Sequence, residues 1–166
     1  MSIAYINIGS NMGNREALIE QAVAHIEFLC NEKAQRAPLV ESEPWGYVSN
    51  NKYINLGISI NCNIKPLQFL EELLKIEKSI CSSSHRDENG NYIDRLIDID
   101  LIAIDDLIFD TPQLQLPHPR MHLRDFVLIP MLHLNPSWMH PILNKSITQL
   151  HHQLYEKDKE SLDRPN

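Results

Sequence analysis

Hydrophobic and polar positions along this chain switch between a strand period and a helix period several times. Residues 3–8 form a short apolar, β-branched run closed by Gly9-Ser10-Asn11, which predicts a buried strand ending in a turn. After Gly13-Asn14, the residues Leu18, Ile19, Ala22, Val23, Ile26, Leu29 and Cys30 recur at helical spacing, with Asn14 as the N-cap. Residues 36–43 read as an extended segment running into Glu43-Pro44-Trp45-Gly46. Over 53–64 the chain alternates: Tyr53, Asn55, Gly57, Ser59 and Asn61 share one parity, and Ile54, Leu56, Ile58, Ile60 and Cys62 the other. That pattern predicts a half-buried strand. Pro66 opens a second helix carrying Leu67, Phe69, Leu70, Leu73, Leu74, Ile76 and Ile80. Residues 81–94 hold almost nothing apolar and predict an exposed loop, of a length usual for a lid or binding loop. The most hydrophobic strand follows at 97–104, broken by Asp98 and Asp100, and Asp105-Asp106 predicts a hairpin into 107–109. Three prolines enforce extended chain over 111–119. Helices are predicted over 124–134, ended by Pro136, and over 146–154.

The resulting order is β-α-β-β-α-β followed by extra elements, which predicts an α+β, ferredoxin-like antiparallel sheet. Both early helices return to one face and the C-terminal helices cover the other, in three layers α/β/α. The last strand supports that covering, because its apolar residues occupy both parities. The expectation is one domain over 1–154, with a charged, disordered tail over 155–166.

Composition narrows the function classes. The 166 residues are 43% hydrophobic and 22% charged, ordinary for one globular domain. With 22 acids against 15 bases the net charge is −7, which weighs against a broad nucleic-acid surface and makes any polyanionic ligand unexpected. Cys30, Cys62 and Cys81 lack Cys-x-x-Cys spacing, so disulfides and structural zinc are not expected. There is no signal-peptide pattern and no long apolar window, which points to the cytoplasm and to no membrane association.

Three groups of residues could carry chemistry. Asp98 and Asp100, two apart in a strand, point to one face together with Ile102 and Ile104. Two carboxylates on a face meant for a core need neutralising, by a pair of divalent cations or by arginine. Arg95, at the loop-to-strand junction, suits either role and could also grip a phosphate. The second group is His118, Arg120, His122 and Arg124, four donors that share a side if the extended chain continues. No acid occurs between Thr111 and Arg124, so a phosphate chain would find a positive field there. The alternatives are surface ion pairs and a helix-capping histidine, or a zinc site on His118 and His122 for which no third ligand is evident. The third group, Trp45, Tyr53, Asn55 and Phe126, could grip a planar heteroaromatic by stacking and an amide, or could simply be core. Neither Gly-x-Gly-x-x-Gly nor a Walker A sequence is present.

Gly9-Ser10-Asn11, Ser42-Glu43-Pro44-Trp45-Gly46, Tyr53-Ile54-Asn55, Arg95-x-x-Asp98-x-Asp100 and Pro117-His118…Arg124-x-Phe126 occur in that order. Together they resemble the 6-hydroxymethyl-7,8-dihydropterin pyrophosphokinase family of folate biosynthesis, over about residues 3–140. The resemblance implies transfer of pyrophosphate from ATP to the pterin hydroxymethyl group with release of AMP. It implies two Mg²⁺ ions on Asp98 and Asp100, and phosphates held by Arg95, His118 and Arg124, with Arg95, Asp98, Asp100 and Arg124 catalytic. It implies pterin contacts from Asn11, Ser42, Trp45, Tyr53, Asn55 and Phe126, mobile loops at 9–14, 44–52 and 81–94, and a ferredoxin-like fold. Small-molecule substrates and a monomer are expected. The chain departs from the family at Tyr92-Ile93-Asp94-Arg95, where many members have Trp-x-x-Arg; whether Tyr92 or Arg86 contacts ATP is open, as is the role of Glu77 on the apolar stripe of the second helix. Two other classes fit parts of the pattern: a two-metal nuclease or nucleotidyl transferase, which should present a basic groove, and a non-catalytic ferredoxin-like binding module, which would leave the aspartate pair without use.

Overall fold

The computed structural model describes residues 1–81 and 93–162, and its frame is an antiparallel sheet built around the first strand. Strand β1 (Ser2–Ser10) runs antiparallel to both of its neighbours, β4 (Tyr53–Cys62) and β5 (Asp98–Ile104). The stretch 36–43, expected to be simply extended, forms two short strands, β2 (Gln35–Arg36) and β3 (Val40–Ser42), on the far edge of β4. Four helices pack on this sheet: α1 (Arg15–Cys30), α2 (Pro66–Ile80), α3 (Asp125–Leu134) and α4 (Ile147–Leu162). Asn14 caps α1 as expected, its side-chain oxygen accepting from the Ala17 N–H at 3.2 Å. Pro66 occupies the first turn of α2, where a missing N–H leaves nothing unsatisfied. No helix among the described residues is long and apolar enough to cross a membrane.

The two faces of the sheet are packed differently, and this positions the site. Ile6, Ile8, Ile58, Ile60, Ile99 and Leu101 meet Ile19, Val23 and Ile26 of α1 and Phe69 and Leu73 of α2 in one buried cluster. Tyr5, Ile102 and Ala103 meet Val127, Leu128 and Met131 of α3 and Ile147 and Leu150 of α4 in another. Most of the polar parity of β4 therefore does not face water, and the expectation of a half-buried strand is corrected: Tyr53, Asn55, Gly57 and Ser59 are buried, and only Asn61 of that parity is exposed. The reason lies at Gly57, where a Cβ would come within 2.3 Å of Pro130 Cβ; the bare backbone lets α3 lie directly on β4.

Three further departures have local causes. The pairing of β1 with β5 jumps from Tyr5↔Ala103 to Ile6↔Leu101, a bulge that sends Ile104 to the α1/α2 cluster and leaves Ile102 on the opposite face. Asp105-Asp106 does turn the chain, with Asp105 at φ 44°, but no hairpin onto β5 follows. Instead β6 (Phe109–Asp110) pairs with β7 (Gln115–Leu116), in a hairpin closed by backbone and hydroxyl bonds between Thr111 and Leu114. After the small hairpin of β8 (Met139–His140) and β9 (Lys145–Ser146), α4 runs past Leu154 to Leu162, so the stretch expected to be a disordered tail is helical that far. Its charged sequence Tyr155-Glu156-Lys157 keeps good helix formers on an exposed surface, and Lys159 Nζ sits 4.7 Å from the Tyr155 ring centre.

Candidate active site

Strand register assembles the site at one end of the sheet. Gly9 of β1 lies opposite Asn55 on one side and Asp98 on the other, and Asn7 lies opposite Gly57 and Asp100. Asn7, Asn55, Asp98 and Asp100 project to the face covered by α3, which touches the sheet at Gly57. Gly9 is small because Tyr53 and Asn55 lean across it: a Cβ would stand 3.0 Å from Asn55 Oδ1 and 3.3 Å from Tyr53 Cδ1. Asn55 is 2% exposed and locked in place. Its Nδ2 donates to Ser42 Oγ at 2.9 Å and to the Val40 carbonyl at 3.3 Å, while its Oδ1 accepts from Asn7 Nδ2 at 3.4 Å. Asn7 Oδ1 is buried with no hydrogen-bond partner among the described residues, an acceptor suited to a ligand N–H.

Above this floor lies a cavity of about 150 Å³, walled by the rings of Trp45, Tyr47, Tyr53 and Phe126. Asp98, Asp100, His118, Arg95, Arg120 and Arg124 complete its lining. A second cleft of about 320 Å³ opens between α2 and the 111–119 segment, lined by Leu70, Leu74, Glu77, Gln113 and Pro119 among others. Asp98, Asp100 and His118 line both spaces, so the two carboxylates stand at the junction between an aromatic cavity and a longer cleft.

Charge is tightly compensated there. Arg95 Nη1 bonds Asp98 Oδ1 at 2.8 Å, and Arg124 Nη1 bonds Asp100 Oδ2 at 3.2 Å. The Arg124 guanidinium also lies 4.5 Å from the Trp45 ring centre and 5.7 Å from that of Phe126, and Arg120 reaches the same tryptophan at 5.3 Å. Burial pushes the Asp100 carboxyl up, opposed by the Arg124, Arg95 and Arg120 charges. Burial, and then the repulsion of Arg124 and Arg120, pushes His118 down to about 4. His118 is therefore neutral near pH 7, and since its Nδ1 accepts the Arg120 backbone N–H at 3.2 Å, its Nε2–H is the remaining donor. Glu77, 5% exposed, is pushed up to about 7 by burial and by the nearby Asp98 charge, although its Oε2 accepts the Ile99 N–H at 2.7 Å. Among the described residues no three potential metal ligands cluster, but the two partly accessible carboxylates offer oxygen acceptors of the kind a hard divalent cation such as Mg²⁺ takes.

Eleven of the residues picked out from the sequence line the aromatic cavity: Ser42, Trp45, Tyr53, Asn55, Arg95, Asp98, Asp100, His118, Arg120, Arg124 and Phe126. Asn11 is not among them. It is buried, and its Nδ2 donates to Asp94 Oδ1 at 2.8 Å, the Asn51 carbonyl at 3.1 Å and Tyr47 Oη at 3.2 Å, while its Oδ1 accepts the Arg95 N–H at 2.9 Å. His122 does not join His118, Arg120 and Arg124 either. Residues Met121–Leu123 make a 3₁₀ turn instead of continuing extended, and His122 lines a separate space beside His140. Trp45 faces the arginines across the cavity. Asn7, Tyr47 and Asp94 went unnoticed as candidate site residues. Asn7 had a signal, a lone amide in the apolar run 3–8; Tyr47 and Asp94 had none, because their partners are distant in sequence. Tyr92, Arg86 and most of the 81–94 loop lie outside the described residues.

Comparison with known proteins shows what the chain is similar to. Residues 5–136 match the family model described as 7,8-dihydro-6-hydroxymethylpterin-pyrophosphokinase (HPPK). The chain is 32% identical over 143 residues to a 2-amino-4-hydroxy-6-hydroxymethyldihydropteridine pyrophosphokinase of Porphyromonas gingivalis, covering 85% of this chain and 95% of that one. It is 31% identical over 150 residues to the protein of the same name from Aquifex aeolicus, covering 90% of each. Among solved structures, a Plasmodium falciparum HPPK-DHPS superposes with a TM-score of 0.75 at 16% identity, over 98% of this chain and 47% of that one. This chain thus spans about half the length of that structural relative, which speaks for the fold alone.

Proposed function

The chain belongs to the 7,8-dihydro-6-hydroxymethylpterin-pyrophosphokinase family, and we propose that it performs the family reaction with the aromatic cavity as pterin site and the adjoining cleft as ATP site. The reaction itself transfers the pyrophosphoryl group of ATP to 6-hydroxymethyl-7,8-dihydropterin in folate synthesis. The observation that carries the site assignment is the position of Asp98 and Asp100, which line both spaces at once. A hydroxyl presented from one side and a triphosphate from the other would meet there. The hydroxymethyl oxygen forms a bond to the β-phosphorus and gives up its proton to solvent, the bond from that phosphorus to the α,β-bridging oxygen breaks, and AMP leaves with the electron pair.

In this reading the pterin ring lies among Tyr53, Phe126 and Trp45, with the amides of Asn55 and Asn7 and the hydroxyl of Ser42 below its polar edge. Buried Tyr53 keeps its proton, its pKa raised first by burial and then by the Tyr47 hydroxyl, so it serves as wall and donor and not as a base. Asp98 and Asp100 would hold Mg²⁺, two ions by the resemblance, whose charge when bound offsets that of the triphosphate and orients it for attack. Arg95 and Arg124 lie within 3.2 Å of those carboxylates and can turn to phosphate oxygens as charge builds on the leaving group. His118 offers a neutral N–H to the phosphates. Asn11 acts indirectly, by fastening the segment that carries Trp45 and Tyr47. No single side chain is needed as a strong base, because positioning and charge balance carry most of phosphoryl transfer.

The same reading treats 1–154 as one catalytic domain of ferredoxin-like topology, supported by the strand order β2-β4-β1-β5, and as three layers, supported by the two clusters on opposite faces of the sheet. It also treats the protein as a cytoplasmic monomer acting on small molecules. Incubation with ATP, Mg²⁺ and the pterin alcohol should release AMP in step with pterin consumed. ADP as the nucleotide product, or ATP turnover that ignores the pterin, would contradict the assignment.

A further inference from the structure

The Asp94 carboxylate, outside the cavity lining, accepts four side-chain hydrogen bonds. Its Oδ1 accepts from Asn11 Nδ2 at 2.8 Å and Tyr47 Oη at 3.2 Å, and its Oδ2 accepts from Ser49 Oγ at 2.8 Å and Asn51 Nδ2 at 2.5 Å. Three of these donors belong to the segment 44–52, which has no regular secondary structure to hold it and carries a fully exposed Val48 at its tip. That segment supplies Trp45 and Tyr47 to the cavity wall, and Tyr47 Oη bonds Tyr53 Oη at 3.0 Å. A charged acceptor with four donors is worth more than four isolated neutral bonds, because each is charge-assisted and all share one anchor. Burial raises the Asp94 pKa, but the bonds from Ser49, Asn51, Asn11 and Tyr47 outweigh it and hold the carboxyl below its ordinary range, ionised near neutrality.

We infer that Asp94 is a positioning residue for pterin recognition: it ties segment 44–52 to the start of β5 and so sets the aromatic wall before substrate arrives. This rests on the cavity being the pterin site. Arg95, the next residue, is held independently. Its N–H donates to Asn11 Oδ1 at 2.9 Å, its carbonyl accepts the Asn11 N–H at 3.3 Å, and its guanidinium bonds Asp98. Losing the Asp94 carboxylate therefore frees the wall but leaves the catalytic arginine clamped. Losing the Asn11 side chain weakens both ties at once: it takes one of four donors from Asp94 and the Oδ1 acceptor from the Arg95 N–H. The two oxygens of Asp94 each face two donors, so the isosteric Asp94→Asn keeps the volume yet turns an N–H₂ toward one pair of them.

Steady-state kinetics on Asp94→Ala, Asp94→Asn and Asn11→Ala, with pterin and ATP varied separately, test this. Ordering a loop in advance lowers KM for the ligand it contacts, so Asp94→Ala should raise the pterin KM about tenfold or more and leave kcat and the ATP KM within about threefold. Asp94→Asn should fall between Ala and wild type, and Asn11→Ala should lower kcat as well as raise the pterin KM. An unchanged pterin KM in Asp94→Ala would overturn the inference. So would an equal loss in kcat and in ATP KM, which would mean that Asp94 acts through Arg95. Should Asp94→Ala fail to fold, Ser49→Ala combined with Asn51→Ala removes two of the four bonds from the exposed side, and the same pterin-selective rise is expected. A wild-type rate that does not saturate with pterin would instead overturn the cavity reading beneath this one.

Discussion

Asp98→Ala and Asp100→Ala should each lower the single-turnover rate by about three orders of magnitude or more. Each carboxylate has two tasks at the junction of the cavities. It neutralises a nearby arginine in the free protein, and in the proposed mechanism it would offer oxygen ligands to the cations that accompany ATP. Removing Asp98 takes a carboxylate from Arg95, whose side chain is only 9% exposed, and removing Asp100 takes one from Arg124 at 11%. A buried cation without its partner destabilises the local structure, so part of the loss in an alanine variant would be structural. Asp98→Asn and Asp100→Asn separate the two contributions. An amide oxygen still accepts the arginine N–H but binds a divalent cation poorly, so the asparagine variants should keep their thermal midpoint more nearly than their rate. Turnover within about tenfold of wild type in all four variants would remove the carboxylates from the mechanism.

Gly57→Ala should be nearly as damaging, and through the fold. The added Cβ would lie 2.3 Å from Pro130 Cβ, an atom that the proline ring fixes to its backbone, so the backbone must move. Forcing a methyl into such a contact typically destabilises by about 1–3 kcal/mol, and the rigidity of proline argues for the upper end. Because Phe126 belongs to α3 and Arg124 immediately precedes it, lifting this helix should also displace one cavity wall and the arginine proposed to hold phosphate. Urea unfolding should show a lower midpoint with an unchanged slope, and residual activity should fall further than the loss of folded protein explains. An unchanged midpoint and rate would mean that α3 does not rest on β4.

The parts of this architecture legible in the sequence are those with a local cause. Asp98 and Asp100 stood out because charge interrupts the most apolar strand, and Tyr53 and Asn55 because they break the apolar parity of theirs. Strand register then brought these four together, a consequence of pairing that each pattern only implied. Other features depend on partners far along the chain. The burial of the polar parity of β4 depends on Pro130, more than seventy residues later than Gly57. The reversal of Ile104 comes from a bulge opposite β1, which has no signature in its own strand. His122 was grouped with His118 on the assumption that prolines would keep the chain extended, but Pro119 is followed by a 3₁₀ turn that rotates the later side chain away. Asn11 was identified as a site residue, yet its bonds run to 47, 51, 94 and 95, a set that no periodicity could predict. The net charge of −7 offered a misleading cue for an ATP-dependent enzyme, because a small site is governed by the arrangement of Arg95, Arg120 and Arg124 beside two aspartates and not by the sum over the surface.

A crystal structure of the protein with Mg²⁺, a non-hydrolysable ATP analogue and the pterin alcohol tests the central claim most directly. The account predicts metal ions liganded by Asp98 and Asp100, the triphosphate in the cleft beside His118 and Glu77, and the pterin among Tyr53, Asn55 and Phe126 with its hydroxyl toward the β-phosphorus. Metal bound away from both aspartates, or a pterin outside the aromatic cavity, would contradict it.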